Sequence, residues 1–133
     1  MSMKKKLRTL RVDNSEYLYS IGGTYIADTE ESIFIMRIFV DKYSKYALFI
    51  HFRVLDDYYV GNPLNHGVLL YNTALEKEIV VNLNRPLFIR LALDYGLEQG
   101  WRPTKERLEL DGLALLVQHG YQIDKLLKKT YSK

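Results

Sequence analysis

The side chains best suited to proton transfer or metal binding are three histidines, His51, His66 and His119, and one adjacent pair of aspartates, Asp56-Asp57. The histidines stand far apart, and none belongs to a metal-binding spacing such as H-E-x-x-H, so neither a metal nor another cofactor is expected. Asp56 and Asp57, with Tyr58, Tyr59 and His66 close behind, would supply an acid, a base and polar walls for a small-ligand or catalytic pocket. Two aspartates where a strand enters a loop are also ordinary turn formers, and this is the stronger reading. Glu30-Glu31 has the same explanation. Gly22-Gly23 lacks the partners of a phosphate-binding loop, since neither G-x-x-x-x-G-K-[ST] nor G-x-G-x-x-G occurs. There is no G-x-S-x-G nucleophile elbow either. No catalytic residue is assigned, and the balance leans away from an enzyme.

Composition narrows the classes further. The chain has 133 residues, 47% hydrophobic and 26% charged, which is a globular composition of single-domain size and excludes a disordered chain. The absence of cysteine rules out disulfides, thiolate catalysis and cysteine-ligated zinc or iron, and suits a reducing compartment. Arg8, Thr9, Arg11, Asp13 and Asn14 interrupt what would be the apolar stretch of a signal peptide, and nothing is long enough to span a bilayer. A cytoplasmic protein without membrane contact is expected.

The net charge of +3 conceals an asymmetry. Lys4, Lys5, Lys6, Arg8 and Arg11 crowd one end, and Lys125, Lys128, Lys129 and Lys133 the other, which leaves the body between them net acidic. Residues 1–6 read as a flexible basic tail. Such ends can attract nucleic acid loosely and in a salt-sensitive way, but they more often serve solubility, so nucleic acid is not the expected partner.

The elements that must carry these residues follow from hydrophobic period. Leu7–Val12 and Tyr17–Tyr25 read as strands around the turn formers Asp13, Asn14 and Ser15, with Gly22-Gly23 suggesting a bulge or bend. Phe34, Met36, Ile38 and Val40 then share one face of a strand, and Tyr46, Leu48, Ile50, Phe52 and Val54 one face of the next. The opposite face holds Ile33, Ile35, Arg37 and Phe39 against Ala47, Phe49, His51 and Arg53. It is too apolar to be wholly bare, so another element or a second copy is expected to cover part of it. Gly67–Tyr71 and Glu76–Leu83 read as two further strands. Eleven tyrosines, most in strand-like stretches, suit half-buried sheet surfaces.

From Pro86 the period changes to that of a helix, with Asn84 as the expected N-cap and Gly100 as its stop. Only Arg90, Asp94 and Glu98 form a polar stripe, so this helix needs cover on two sides. Gly96 within it points to a close packing contact. Asp111-Gly112 suits either a hairpin turn or the N-cap of a helix closing at Gly120. The helix is favoured because Leu113, Leu115, Leu116 and Val117 do not alternate cleanly. His119 would sit at its end, and Ile123, Leu126, Leu127 and Thr130 mark a last amphipathic helix.

The stretch Pro86 to Pro103, with its helix ending in Gly100-Trp101-Arg102-Pro103 and followed by Leu110-Asp111-Gly112, resembles a pattern in small uncharacterised bacterial proteins. The resemblance covers about a fifth of the chain, is structural in content, and implies no activity. Trp101 there reads as a lid on the core, or alternatively as an exposed contact residue.

Together these features predict an α+β domain: an antiparallel sheet of about six strands in the first two-thirds, packed by about three helices from the final third. The expected role is a non-enzymatic bacterial interaction module of immunity or regulatory type, self-associating or binding another protein. Arg37, Phe49, His51, Arg53 and Trp101 are its candidate contact residues, and the Asp56, Asp57, Tyr58, Tyr59 and His66 pocket is the alternative.

Overall fold

The computed structural model describes residues 7–57 and 61–127. The basic segment 1–6, Tyr58, Tyr59, Thr130 and the last lysines lie outside the described residues. The chain is α+β, with two sheets and four helices among the described residues.

Alternating apolar residues build the main sheet. Strands β1 (Arg8–Val12), β2 (Ser15–Ile26), β3 (Glu31–Phe39) and β4 (Leu48–Leu55) run antiparallel in sequence order. Phe34 lies opposite Phe52, Met36 opposite Ile50, and Ile38 opposite Leu48. All six are buried on the inner face, each worth about 1.5–3 kcal/mol of apolar transfer. A one-residue slip would turn the whole set toward water, and this holds the register. Gly22 and Gly23 make no bulge, because β2 pairs with β3 without interruption from Leu18–Phe39 to Ile26–Glu31. Strand β3 begins at Glu31, earlier than the polar run Asp28–Ser32 suggests. Tyr46 leaves the strand for a 3₁₀ turn, Ser44–Tyr46, that follows the bend at Lys42, where φ is +75°.

Two corrections concern strands. All six expected strands exist, but β5 (Val68–Asn72) and β6 (Lys77–Val81) pair with each other in a separate ribbon rather than joining the main sheet. A seventh, β7 (Leu108–Asp111), adds itself to β4 in parallel, so the main sheet is mixed. Residues 108–120 form no hairpin: the strand to Asp111 pairs with β4, and Asp111 then caps a helix from Gly112 that closes at Gly120, as the favoured reading has it. Leu108 and Leu110 alternate with Glu109 and Asp111 over only four residues, too few for a period to stand out.

The helices are α1 (Pro63–His66), α2 (Pro86–Glu98), α3 (Gly112–Gln118) and α4 (Asp124–Leu127). Pro86 opens α2 as expected, but Arg85 occupies the N-cap position without a side-chain cap. Asn84 instead donates from Nδ2 to the Asn65 backbone oxygen at 3.0 Å, tying this turn to α1. Asp111 caps α3 through its carboxylate, which accepts from the Leu113 amide at 3.0 Å. Both longer helices end in the same way. Gly100 and Gly120, at φ +100° and +94°, carry the chain through the left-handed region. The next residue's amide returns to the carbonyl five positions back, Trp101 to Gly96 at 2.9 Å and Tyr121 to Leu116 at 3.0 Å. Each reversal drops an aromatic ring into the core: Trp101 is 3% exposed and Tyr121 7%.

On α2 the buried residues are Phe88, Ile89, Ala92, Leu93, Tyr95 and Gly96, while Leu87 and Leu97 face outward. The wide apolar surface is therefore covered on a broad inner arc, not on two opposite sides. The ribbon is fastened to the end of α3 by Asn72. Its side chain donates to the His119 carbonyl at 3.0 Å and accepts from the Leu75 amide at 2.9 Å.

Candidate functional site

Asp56 and Asp57 close a narrow loop. Asp57 and Gly61 exchange two backbone hydrogen bonds, at 2.7 and 2.9 Å, and Gly61 supplies the positive φ of +79° that such a reversal needs. Tyr58 and Tyr59 lie outside the described residues. His66 is exposed at the end of α1. The acid–base set read from the sequence is thus spread along a turn and a short helix.

The outer face of the main sheet gathers four of the five expected contact residues. Arg37 lies opposite Phe49, Ile35 opposite His51, and Ile33 opposite Arg53. The guanidinium of Arg37 sits 4.3 Å from the Phe39 ring centre, and that of Arg107 4.4 Å from the Phe49 ring. Phe49 in turn stacks on His51 at 6.5 Å. Arginine stems thereby cover the apolar surface that the sequence shows to need cover. Trp101 is the exception. It is buried, stands 6.3 Å from the Tyr17 ring, and donates from Nε1 to the Tyr46 carbonyl at 2.8 Å. It is the lid on the core rather than a contact residue.

Charge on this face is partly balanced. Glu31 accepts from the Thr29 hydroxyl and from Arg53 Nε, both at 2.8 Å, and these bonds hold its carboxyl below the ordinary carboxylate range. Arg107 does the same to Glu109 through a hydrogen bond. His51 Nε2 comes within 3.3 Å of Glu109 but is not aligned for a hydrogen bond. Arg37 makes no ion pair among the described residues.

A cleft of 470 Å³ opens at the other side of the sheet, between the β2–β3 hairpin and the loop entering α1. Gly22, Gly23, Ser32, Phe34, Asn62 and Asn65 are among the residues around it, and neither Asp56, Asp57 nor His66 is. The segment that the sequence marks for chemistry therefore reaches this cleft through its asparagines. Ser32 and Asn62 went unread because an isolated serine at a strand start and an asparagine before proline have common turn roles. The glycine pair was the one signal in the sequence.

Among the described residues no group of three or more His, Asp or Glu side chains is placed to hold a metal ion, and no helix is long and apolar enough to cross a membrane. No known family, curated protein or solved structure matches this chain.

Proposed function

We propose that the protein is a non-enzymatic interaction module whose partner docks on the outer face of the main sheet. The observation that carries this reading is the pair of arginine–aromatic stacks, Arg37 on Phe39 and Arg107 on Phe49. Arg37, which makes no ion pair among the described residues, lies over its ring with its in-plane N–H donors available to grip a carboxylate in two-point fashion, whereas Arg107 already donates from Nε to Glu109 and adds a stacked cationic neighbour. Arginine and aromatic residues are also the types enriched where protein surfaces meet. The partner is accordingly a protein surface rich in aspartate or glutamate, and the role a regulatory or immunity-type one. A second copy of the chain is the first partner to test.

Photo-crosslinking tests the reading. A benzophenone side chain at position 35, on the same face but outside both stacks, should capture one defined protein in cells, whether a second copy or another chain, and Arg107→Glu should abolish that product. The same probe at Leu75, exposed on the separate ribbon, should not yield it. Equal capture from both positions, or indifference to Arg107→Glu, would remove the outer face as the docking site.

A further inference from the structure

The cleft beside Gly22-Gly23 combines three properties that ordinary packing does not explain. Its 470 Å³ lies within the range of small-molecule sites. Its wall contains Gly23, where the inner-face positions of β2 on either side carry the large side chains of Ile21 and Tyr25. A Cβ on Gly23 would come within 3.0 Å of the Ile33 carbonyl oxygen. Two polar groups of the same wall also lack partners among the described residues. One is the hydroxyl of Ser32, a residue only 6% exposed, and the other is Asn62 Nδ2. The Asn62 amide has a defined orientation, because its Oδ1 accepts from the Leu64 amide at 3.0 Å and leaves the NH2 as the free end. Unpaired buried donors are costly and rare, and a native chain that keeps two on one wall has a use for them.

The chemistry of the wall selects the ligand. Among the described residues no charged side chain lines the cleft, while Ile21, Phe34 and Tyr25 provide apolar surface. An anion would find no cation and a cation no carboxylate, so either would lose its hydration without compensation. We propose that this cleft binds a small uncharged carbonyl compound, its oxygen accepting from the Ser32 hydroxyl and the Asn62 amide and its apolar body lying on Ile21, Tyr25 and Phe34. Both donors are sealed from solvent in the wall. Engagement therefore involves rotation of Ser32 about its Cα–Cβ bond and a local shift of the Asn62 loop. The site is on the opposite face from the arginine–aromatic stacks and does not depend on their role.

A matched trio of probes on one ring tests this: benzamide, benzoate and benzylamine, titrated into the full chain while the backbone amides of Gly22 and Gly23 and the side-chain amide of Asn62 are followed by NMR. Benzamide should shift these signals saturably, with a Kd on the order of millimolar for so small a molecule. Its two charged analogues should bind at least ~5-fold more weakly. Ser32→Ala and Asn62→Asp should each weaken benzamide by about 10-fold, the second while still accepting from the Leu64 amide. The proposal fails if benzamide leaves Gly22 and Gly23 unmoved or shifts only residues elsewhere. It fails equally if the charged analogues bind as well, or if Ser32→Ala binds like the wild type. Should Asn62→Asp not fold, Ser32→Ala decides alone, because it removes an unpaired hydroxyl and adds no volume.

Discussion

Gly96 lies directly on Leu48: a Cβ added to this glycine would stand 2.3 Å from Leu48 Cδ2 and 3.0 Å from Cδ1. The helix α2 can approach β4 this closely only because position 96 has no side chain. Alanine there would gain about 1 kcal/mol of helix propensity. It would also force a fully buried leucine aside, for which overpacking costs of about 1–3 kcal/mol are usual. Both methyls and Cγ of Leu48 are crowded, so overlap should win. Gly96→Ala is expected to lower stability by about 1–2 kcal/mol in urea denaturation, and Leu48→Val should recover part of the loss when the two are combined. Additive single effects would show that the contact is not what sets the position of α2.

Asn72 should be among the costliest polar residues to remove. Its side chain serves the His119 carbonyl and the Leu75 amide in a site only 2% exposed. Asn72→Ala leaves both groups unpaired, for an expected loss of about 2–3 kcal/mol. Burial raises the phenol of Tyr121 above its ordinary value, and a hydrogen bond from Asn72 opposes that rise. The same variant should therefore move the Tyr121 titration, followed by NMR, further upward. A phenol that stays in place would place Asn72 outside its hydrogen-bonding reach.

The only tryptophan reports on the core. Trp101 donates to Tyr46 across the turn that connects β3 to β4, so its fluorescence should change in one step with global unfolding. Trp101→Phe keeps an apolar ring but leaves the Tyr46 carbonyl unpaired, and should cost about 1–3 kcal/mol. An earlier fluorescence transition than that seen by circular dichroism would mean that the α2 terminus opens on its own.

Acid should neutralise two carboxylates of the outer face only below the ordinary carboxylate range. Hydrogen bonds to Thr29 and then Arg53 depress the carboxyl of Glu31, and Arg107 depresses that of Glu109. Groups whose folded pKa lies below the unfolded value stabilise the fold above the unfolded pKa and lose that contribution as pH falls through the folded one. Both pairs are exposed, so solvent screening keeps the effect on stability small. In an NMR titration, Thr29→Val and Arg53→Gln should each raise the Glu31 pKa and leave Glu109 in place. Arg107→Gln should do the reverse. A common shift of both carboxylates in any variant would contradict the pairing.

What the residues alone determined about this protein is six of the seven strands and the three helices from Pro86 onward among the described residues. The even-numbered runs of β3 and β4 can bury their large side chains in one register only, and Gly100, Asp111 and Gly120 end or begin helices through local backbone geometry that needs no distant partner. Gly96 was legible as a close contact because a glycine in a helix weakens it without one. Tertiary structure decided the rest, since each remaining feature depends on which distant segments meet. The ribbon β5–β6 left the main sheet and β7 joined it because pairing is a contest between strands. Asn84 reached across to Asn65 in place of capping α2, and Trp101 went inward because the reversal at Gly100 aims it there. The cleft is the extreme case. Ser32 and Asn62 are unremarkable in sequence, and only folding places two polar groups without partners among the described residues beside a glycine that leaves them room.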